Sequence, residues 1–377
     1  MALDVIIVRW LLLVAAVASV LVAPARAGAG AGLAIGFYNE TCPNVEELVL
    51  EEMRAIVHKD RSLGPALLRL LFHDCFVRGC DGSIMLKSKS LKGERDAIPM
   101  SISLRGFDEV ERIKAKLEDA CPMTVSCADI IIMAARDAVY LVFTAAQRQF
   151  ALLLSAPWID FLKLNESTYP FSLIKWFLPM LQTNGPRFPV ETGRRDGKVS
   201  SCADAENDLA PPGANIVDLK TYFSFKSLSW KDLVVLSGSH TIGTAQCAAF
   251  AADRLYNNSG KGVQDPTLDK KYAPDLRALC EPGNLKDKTP AEMDPGSSYE
   301  FDLSYYRNVY SNKGIFVSDQ ALLDDRWTHD YVERMATAES PDEFFADYAA
   351  AMINMGRMEV LTGDNGEIRK ICSAWVD

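Results

Sequence analysis

Apolar positions along most of the chain recur at three- and four-residue intervals, the spacing of helices with one face in a core. Val45–Lys59 is amphipathic, with Asn44 placed to cap it, and a second helix is predicted over Pro65–Phe76. Gly106–Ala120 ends at Cys121-Pro122, and Ser126–Tyr140, rich in Ala and Ile, reads as a core helix. Val217–Phe225 and Trp230–Leu236 are shorter. Thr241–Asn257 is expected to be helical after the turn Ser237-Gly238-Ser239, as is Asp342–Met355 near the carboxyl end. Strand signals are few and short and no repeat is present, so the pattern predicts a mainly α fold.

Two stretches depart from this pattern. Arg9 precedes the apolar run Trp10–Val22, and Ala25-Arg26-Ala27 has the small-x-small form of a cleavage site. Residues 1–27 are expected to be a secretory signal peptide, too short for a membrane span, followed by one domain over 28–377. Leu141–Gln182 is the other. It holds eight aromatics and five charges in 42 residues, is broken by Pro157, Pro170 and Pro179, and shows no period. An apolar loop of that length is foreign to a compact domain.

Composition narrows the partners. The formal charge is −10, and −11 once Asp4, Arg9 and Arg26 leave with the signal, which argues against nucleic acid and anionic membranes. All nine cysteines follow residue 27; in an exported chain, spread cysteines read as disulfides rather than a zinc cluster, with one left over. Sequons at Asn39, Asn165 and Asn257 suit a glycoprotein.

The chemistry concentrates in Arg69–Ser83. Arg69 and His73, four residues apart, share one helix face and combine a permanent cation with a base that works near neutral pH. Asp74, Asp81 and Ser83 follow as oxygen donors in a loop that Cys75 and Cys80 could staple. The only other histidines are His58, His240 and His329. His240 opens Leu236-Ser-Gly-Ser-His-Thr-Ile-Gly243; alone it reads as a core or capping residue. Two histidines on separate helices, one with an Arg partner, suit a haem between them, one binding iron and the other moving protons. A metal-dependent phosphohydrolase using His73-Asp74 would need more His and Asp ligands than four histidines allow.

Eight segments in this order resemble the motifs of secreted plant (class III) haem peroxidases: Phe37-Tyr-Asn-Glu-Thr-Cys-Pro-Asn44, Arg69–Ser83, Cys127-Ala-Asp-Ile130, Gly193-Arg-Arg-Asp196, Leu236–Gly243, Phe301-Asp302, Ser318-Asp319-Gln320 and Leu361-Thr-Gly363. The resemblance implies a helical fold with distal and proximal halves around haem b, few strands and four disulfides: Cys42–Cys121, Cys75–Cys80, Cys127–Cys372 and Cys247–Cys280, leaving Cys202. It implies His73 as the acid–base and Arg69 as the cation that stabilises charge while the O–O bond breaks. Phe72 would wall the pocket, His240 would bind the iron, and Asp319 would accept its hydrogen bond. Two calcium ions are implied. The first would take Asp74, Val77, Gly79, Asp81 and Ser83, with Glu94 through water; the second Thr241, Asp294, Ser297 and Asp302, with the Glu300 carbonyl. The implied activity is reduction of hydrogen peroxide and one-electron oxidation of small phenolic donors by a monomer. It would be secreted to the cell wall or apoplast, with the vacuole as the other destination.

Three departures qualify this. Met100 stands where the family has an Asn that accepts a hydrogen bond from the distal His, which predicts a slower reaction with peroxide. Ala210 stands where a Pro helps form the aromatic-donor site. Removing Leu141–Gln182 joins Tyr140 to Thr183-Asn-Gly-Pro186 and restores the family's spacing, so the tract reads as a retained intron or gene-model error. The competing function is a catalytically impaired calcium-binding wall glycoprotein, disturbed by that tract.

Overall fold

The computed structural model describes residues 32–90, 92–97, 100–141, 185–257 and 262–376. The predicted signal peptide, and the tract after Leu141 up to residue 184, lie outside the described residues. Two helical groups make up the rest. In the first, α1 (Val45–Lys59), α2 (Leu63–Phe76), α3 (Phe107–Ala120) and α4 (Cys127–Tyr140) pack together, α4 against each of the other three. The Ala/Ile-rich face explains why: α4 is buried from Cys127 to Val139, and Ser126 Oγ caps it by accepting from Asp129 N at 3.1 Å.

After the short α5 (Cys202–Asp208) comes the second group. It comprises α6 (Ile216–Phe225), α7 (Trp230–Ser237), α8 (Ala273–Leu279), α9 (Ser304–Tyr310), α10 (Arg326–Thr337) and α11 (Asp342–Gly356). Within it α7 packs on α6, α10 and α11, and α9 on α10. Three two-stranded ladders fasten the edges: β1 (Ala34–Ile35) with β3 (Glu191–Thr192), β2 (Lys87–Ser88) with β6 (Trp375–Val376), and β4 (Thr244–Gln246) with β5 (Pro290–Glu292). Among the described residues no helix is long and apolar enough to cross a membrane.

The predicted helix over Thr241–Asn257 does not form. Gly243 adopts φ +95°, which ends any right-handed turn, and the chain then runs as β4 against β5. Ile242 and Gly243 are tied to the segment 293–299 instead: Gly243 N donates to Ser298 O at 2.8 Å and its carbonyl accepts from Met293 N at 3.1 Å. A 3₁₀ turn, Cys247–Ala249, and a π-helical turn, Ala252–Tyr256, are the helical pieces that follow β4 within the predicted element. Asn44 precedes α1 as expected but makes no side-chain capping bond.

All four disulfides are formed with the pairing implied above, and Cys202 is free. Cys127–Cys372 spans 245 residues and joins the start of α4 to the carboxyl end, worth on the order of 5 kcal/mol in the chain-entropy account. Several motifs meet at one buried carboxylate. Asp129 accepts from Tyr38 Oη at 2.8 Å, Gly193 N at 2.7 Å and Arg194 Nη1 at 2.8 Å. The Arg194 guanidinium also donates to Gly356 O at the end of α11. Removing either member of this buried pair would leave the other uncompensated, at a cost of about 3–5 kcal/mol. These motifs hold the two helical groups together rather than act on substrate.

Candidate active site

On α2, the four-residue spacing places Arg69 and His73 in direct contact. Arg69 Nε donates to His73 Nε2 at 3.1 Å, and Nη1 donates to Ser103 Oγ at 3.0 Å. Guanidinium has no acceptor, so Nε2 must present its lone pair and the proton of the neutral imidazole sits on Nδ1. Nδ1 is buried with no hydrogen-bond partner among the described residues. Burial first, and the Arg69 cation second, hold His73 well below the ordinary histidine range; burial also pulls Arg69 down to about 10. Phe72 lies edge-on to His73 at 5.4 Å and tilts against Phe76 at 4.4 Å, which meets Phe223 of α6 at 5.0 Å. The wall therefore draws on both helical groups. The side chain of Met100 lies outside the described residues.

Behind His73 the chain turns sharply. Val77 ends α2 in extended backbone and Gly79 adopts φ +88°, packed so closely on Met358 and Glu359 that a Cβ would meet backbone at 2.6 Å. The turn returns Asp81 and Ser83 beside Asp74. Asp74 accepts from Gly82 N at 3.0 Å and Ile84 N at 3.4 Å; Asp81 accepts from Ser83 N at 2.9 Å. Glu94, brought in by its own one-turn helix, is fully buried with neither carboxylate oxygen hydrogen-bonded among the described residues, and Ser83 Oγ is likewise buried and without such a partner there. Burial pushes Asp74 and Glu94 well up and Asp81 to about 6. Buried carboxylates with orphan oxygens are the donor set of a hard cation. Among the described residues no three His, Cys, Asp or Glu side chains converge as a metal cluster by themselves. An ion here would depend on Ser83 and on the carbonyls of Val77 and Gly79.

His240 sits in a 3₁₀ turn, Gly238–Thr241, that continues α7. Its Nδ1 is 2.7 Å from Asp319 Oδ1, which also accepts from Tyr305 Oη at 3.1 Å, while Asp319 Oδ2 accepts from Phe316 N at 2.9 Å. Tyr305 and Phe316 flank the imidazole edge-on at 6.0 and 5.4 Å. With Nδ1 donating to the carboxylate, Nε2 keeps its lone pair and has no hydrogen-bond partner among the described residues, and the side chain is 38% exposed. An oriented, accessible imidazole nitrogen fits an iron ligand. Three residues beyond His240, Gly243 packs against Pro65 at the start of α2, so the two histidine-bearing segments adjoin.

Thr241 Oγ1 lies 3.2 Å from both Asp294 Oδ2 and Asp302 Oδ1 and 3.3 Å from Glu300 O. Ser297 is held to this cluster through its backbone, N to Asp294 O at 3.0 Å. Burial lifts Asp294 to about 6. Two participants were not anticipated: Ser304 Oγ bonds both Asp294 and Asp302, and Asn308 Nδ2 donates to Asp294 Oδ1 at 2.7 Å. Their helical spacing, four residues apart at the start of α9, was the available signal. Ser103 beside Arg69, and Tyr305 beside Asp319, were also missed.

The Peroxidase family model matches residues 49–338. Peroxidase 1 of Oryza sativa subsp. japonica is 44% identical over 361 residues, covering 94% of this chain and 97% of that protein. Peroxidase 56 of Arabidopsis thaliana is 42% identical over 341 residues, 90% of each chain, and Peroxidase 3 of the same plant 42% over 343 residues, 91% and 92%. The chain belongs to the peroxidase family, and its relatives are plant class III enzymes. It is an oxidoreductase that uses hydrogen peroxide to oxidise donor substrates, with a haem cofactor.

Proposed function

We propose that this chain reduces hydrogen peroxide with His73 and Arg69 and oxidises small phenolic donors by one-electron steps, holding haem b through His240. The observation that carries the reading is the pair of oppositely prepared imidazoles. His73 is buried, neutral and next to a cation; His240 is fixed by Asp319 through Nδ1, and Nε2 has no hydrogen-bond partner among the described residues. When bound, haem supplies the iron and the redox capacity to split peroxide. Around it, His73 Nε2 takes the proton from one peroxide oxygen and returns it to the departing one as water, once Arg69 has moved its Nε–H from the imidazole to the developing anion. Asp319 raises the basicity of His240 by accepting the hydrogen bond from its Nδ1–H. Phe72 and Phe76 exclude water from the wall.

Two calcium ions complete the reading, one bound by Asp74, Val77, Gly79, Asp81 and Ser83 with Glu94, the other by Thr241, Asp294, Ser297 and Asp302. Each adjoins a working histidine in sequence and would brace its helix or turn. Export with removal of residues 1–27 is part of the same reading, as is a monomer. The peroxidase domain is proposed to close without residues 141–182: Gly185 lies so near Val139 that a Cβ would meet its carbonyl oxygen at 2.3 Å, and Arg187 sits 5.7 Å over the Tyr140 ring. The described residues on either side of the tract thus adjoin.

An absorption spectrum tests the reading. The haem-loaded chain is expected to show a Soret band that is lost or displaced in His240→Ala, together with turnover of a simple phenol such as guaiacol. A His240→Ala protein with unchanged spectrum and turnover would overturn it.

A further inference from the structure

A file of redox-active rings leads away from His240 toward the surface. Tyr305 lies 6.0 Å from the imidazole, Tyr306 5.2 Å from Tyr305, and Tyr331 5.8 Å from Tyr306. All three tyrosines are buried. One turn from Tyr331 on the same face of α10 is Trp327, 55% exposed and stacked on Trp230 of α7 at 6.0 Å. Tyrosine and tryptophan are the side chains most readily oxidised by one electron, and a phenol yields its electron far more readily when its proton can leave at the same time. Tyr331 has the acceptor for it: its Oη donates to Asp347 Oδ2 at 3.1 Å, a carboxylate also held by Lys231 at 2.7 Å. Arg334 lies 4.9 Å over the Tyr331 ring, opposing positive charge there, and is itself paired with Glu343 at 2.9 Å. A hole can rest on Tyr331 only as the neutral radical, which makes Asp347 part of the device.

We infer that Tyr305, Tyr306 and Tyr331 relay single electrons inward from Trp327, making the Trp327–Trp230 stack a second place where donors are oxidised. This rests on the chain acting as a peroxidase. In each pass one electron leaves Tyr331 through Tyr306 and Tyr305 toward the centre that peroxide has oxidised, and its proton moves to Asp347. Trp327 then returns an electron to Tyr331, which recovers its proton from Asp347. A donor at the surface refills Trp327 by losing one electron and one proton, the proton passing to water. Two passes balance one hydrogen peroxide: two donors become two radicals, and peroxide with two protons becomes two waters. A donor too bulky to reach the haem edge can be oxidised this way.

The test is to give hydrogen peroxide to the haem-loaded chain without any donor. Oxidation products are mapped by mass spectrometry and radicals followed by freeze-quench electron paramagnetic resonance, with peroxide consumption measured in the same samples. Oxidised Trp327 and an organic radical are expected in the parent. Oxidation at Trp327 should be lost in Tyr331→Phe and in Asp347→Asn, which keeps an acceptor for the Tyr331 hydroxyl but removes the base. It should be kept in Tyr310→Phe, a surface tyrosine bonded to Glu333 at 2.9 Å but outside the file. Trp327 oxidation that persists in both relay variants, or is absent although the parent consumes peroxide, would overturn the relay. A parent that consumes no peroxide would overturn the peroxidase reading instead.

Discussion

Arg69 Nε donates to His73 Nε2 at 3.1 Å, which commits the imidazole proton to a buried Nδ1 that has no acceptor among the described residues. The base is thus correctly tautomerised but poorly anchored. An unpaired buried N–H costs about 1–3 kcal/mol and leaves the ring less basic and freer to turn.

Supplying the acceptor should repair this. Met100→Asn is expected to raise the second-order rate with hydrogen peroxide by roughly tenfold, the equivalent of one hydrogen bond of ~1.4 kcal/mol expressed in the transition state. Stopped-flow measurement checks it, and a rate that hardly rises would dissociate Met100 from the defect.

The pH profile follows from the same pair. On the proposed mechanism His73 acts as the neutral base, and burial with the Arg69 cation lowers its pKa below the ordinary 6.5. A depressed value keeps the proton-accepting form populated to lower pH. The acid limb of the peroxide rate should therefore fall below pH 6.5. A half-maximal rate at or above that value would show that the buried, cation-flanked histidine is not the limiting base.

Calcium should act on stability before chemistry. Neither oxygen of Glu94 nor Ser83 Oγ has a hydrogen-bond partner of good geometry among the described residues, so a cation bound there relieves buried polar groups in the native state only. Calcium at a hundredfold excess over its Kd is expected to add about 2.7 kcal/mol per site, read as a higher melting temperature that a chelator reverses. Glu94→Gln should shrink the shift. Calorimetric scans that coincide with and without chelator would refute the site.

Because Val139 and Gly185 adjoin, deleting residues 141–182 is expected to leave a chain that folds and binds haem at least as well as the full one. Transcript sequencing gives the complementary check: a spliced message lacking these 42 codons is the expected result. A deletion variant that neither folds nor takes up haem would show that the tract belongs to the domain.

Helix periodicity carried α1, α4 and α11 to within a residue or two of their ends, because a packed amphipathic face leaves its period in the sequence. It failed over Thr241–Asn257, where the decisive bonds run from Gly243 to Met293 and Ser298, partners some fifty residues away that no local window contains. The same distance hid the site's supports. Arg69 and His73 were legible from their spacing, whereas Ser103, Tyr305, Ser304 and Asn308 acquire meaning only when their loops and helices are folded against the motif residues. The buried Asp129–Arg194 pair shows the converse: segments that carried the family resemblance without any assigned role fasten α4 to α11.

On the proposed mechanism His73, prepared by Arg69, moves the proton when peroxide is cleaved. The most direct test is the stopped-flow rate of the haem-loaded chain with hydrogen peroxide, compared with His73→Leu. A positioned acid–base is worth about 10²–10⁴-fold, so a fall of that size with the Soret band retained is the predicted result. An unchanged rate in a haem-loaded His73→Leu protein would contradict the account.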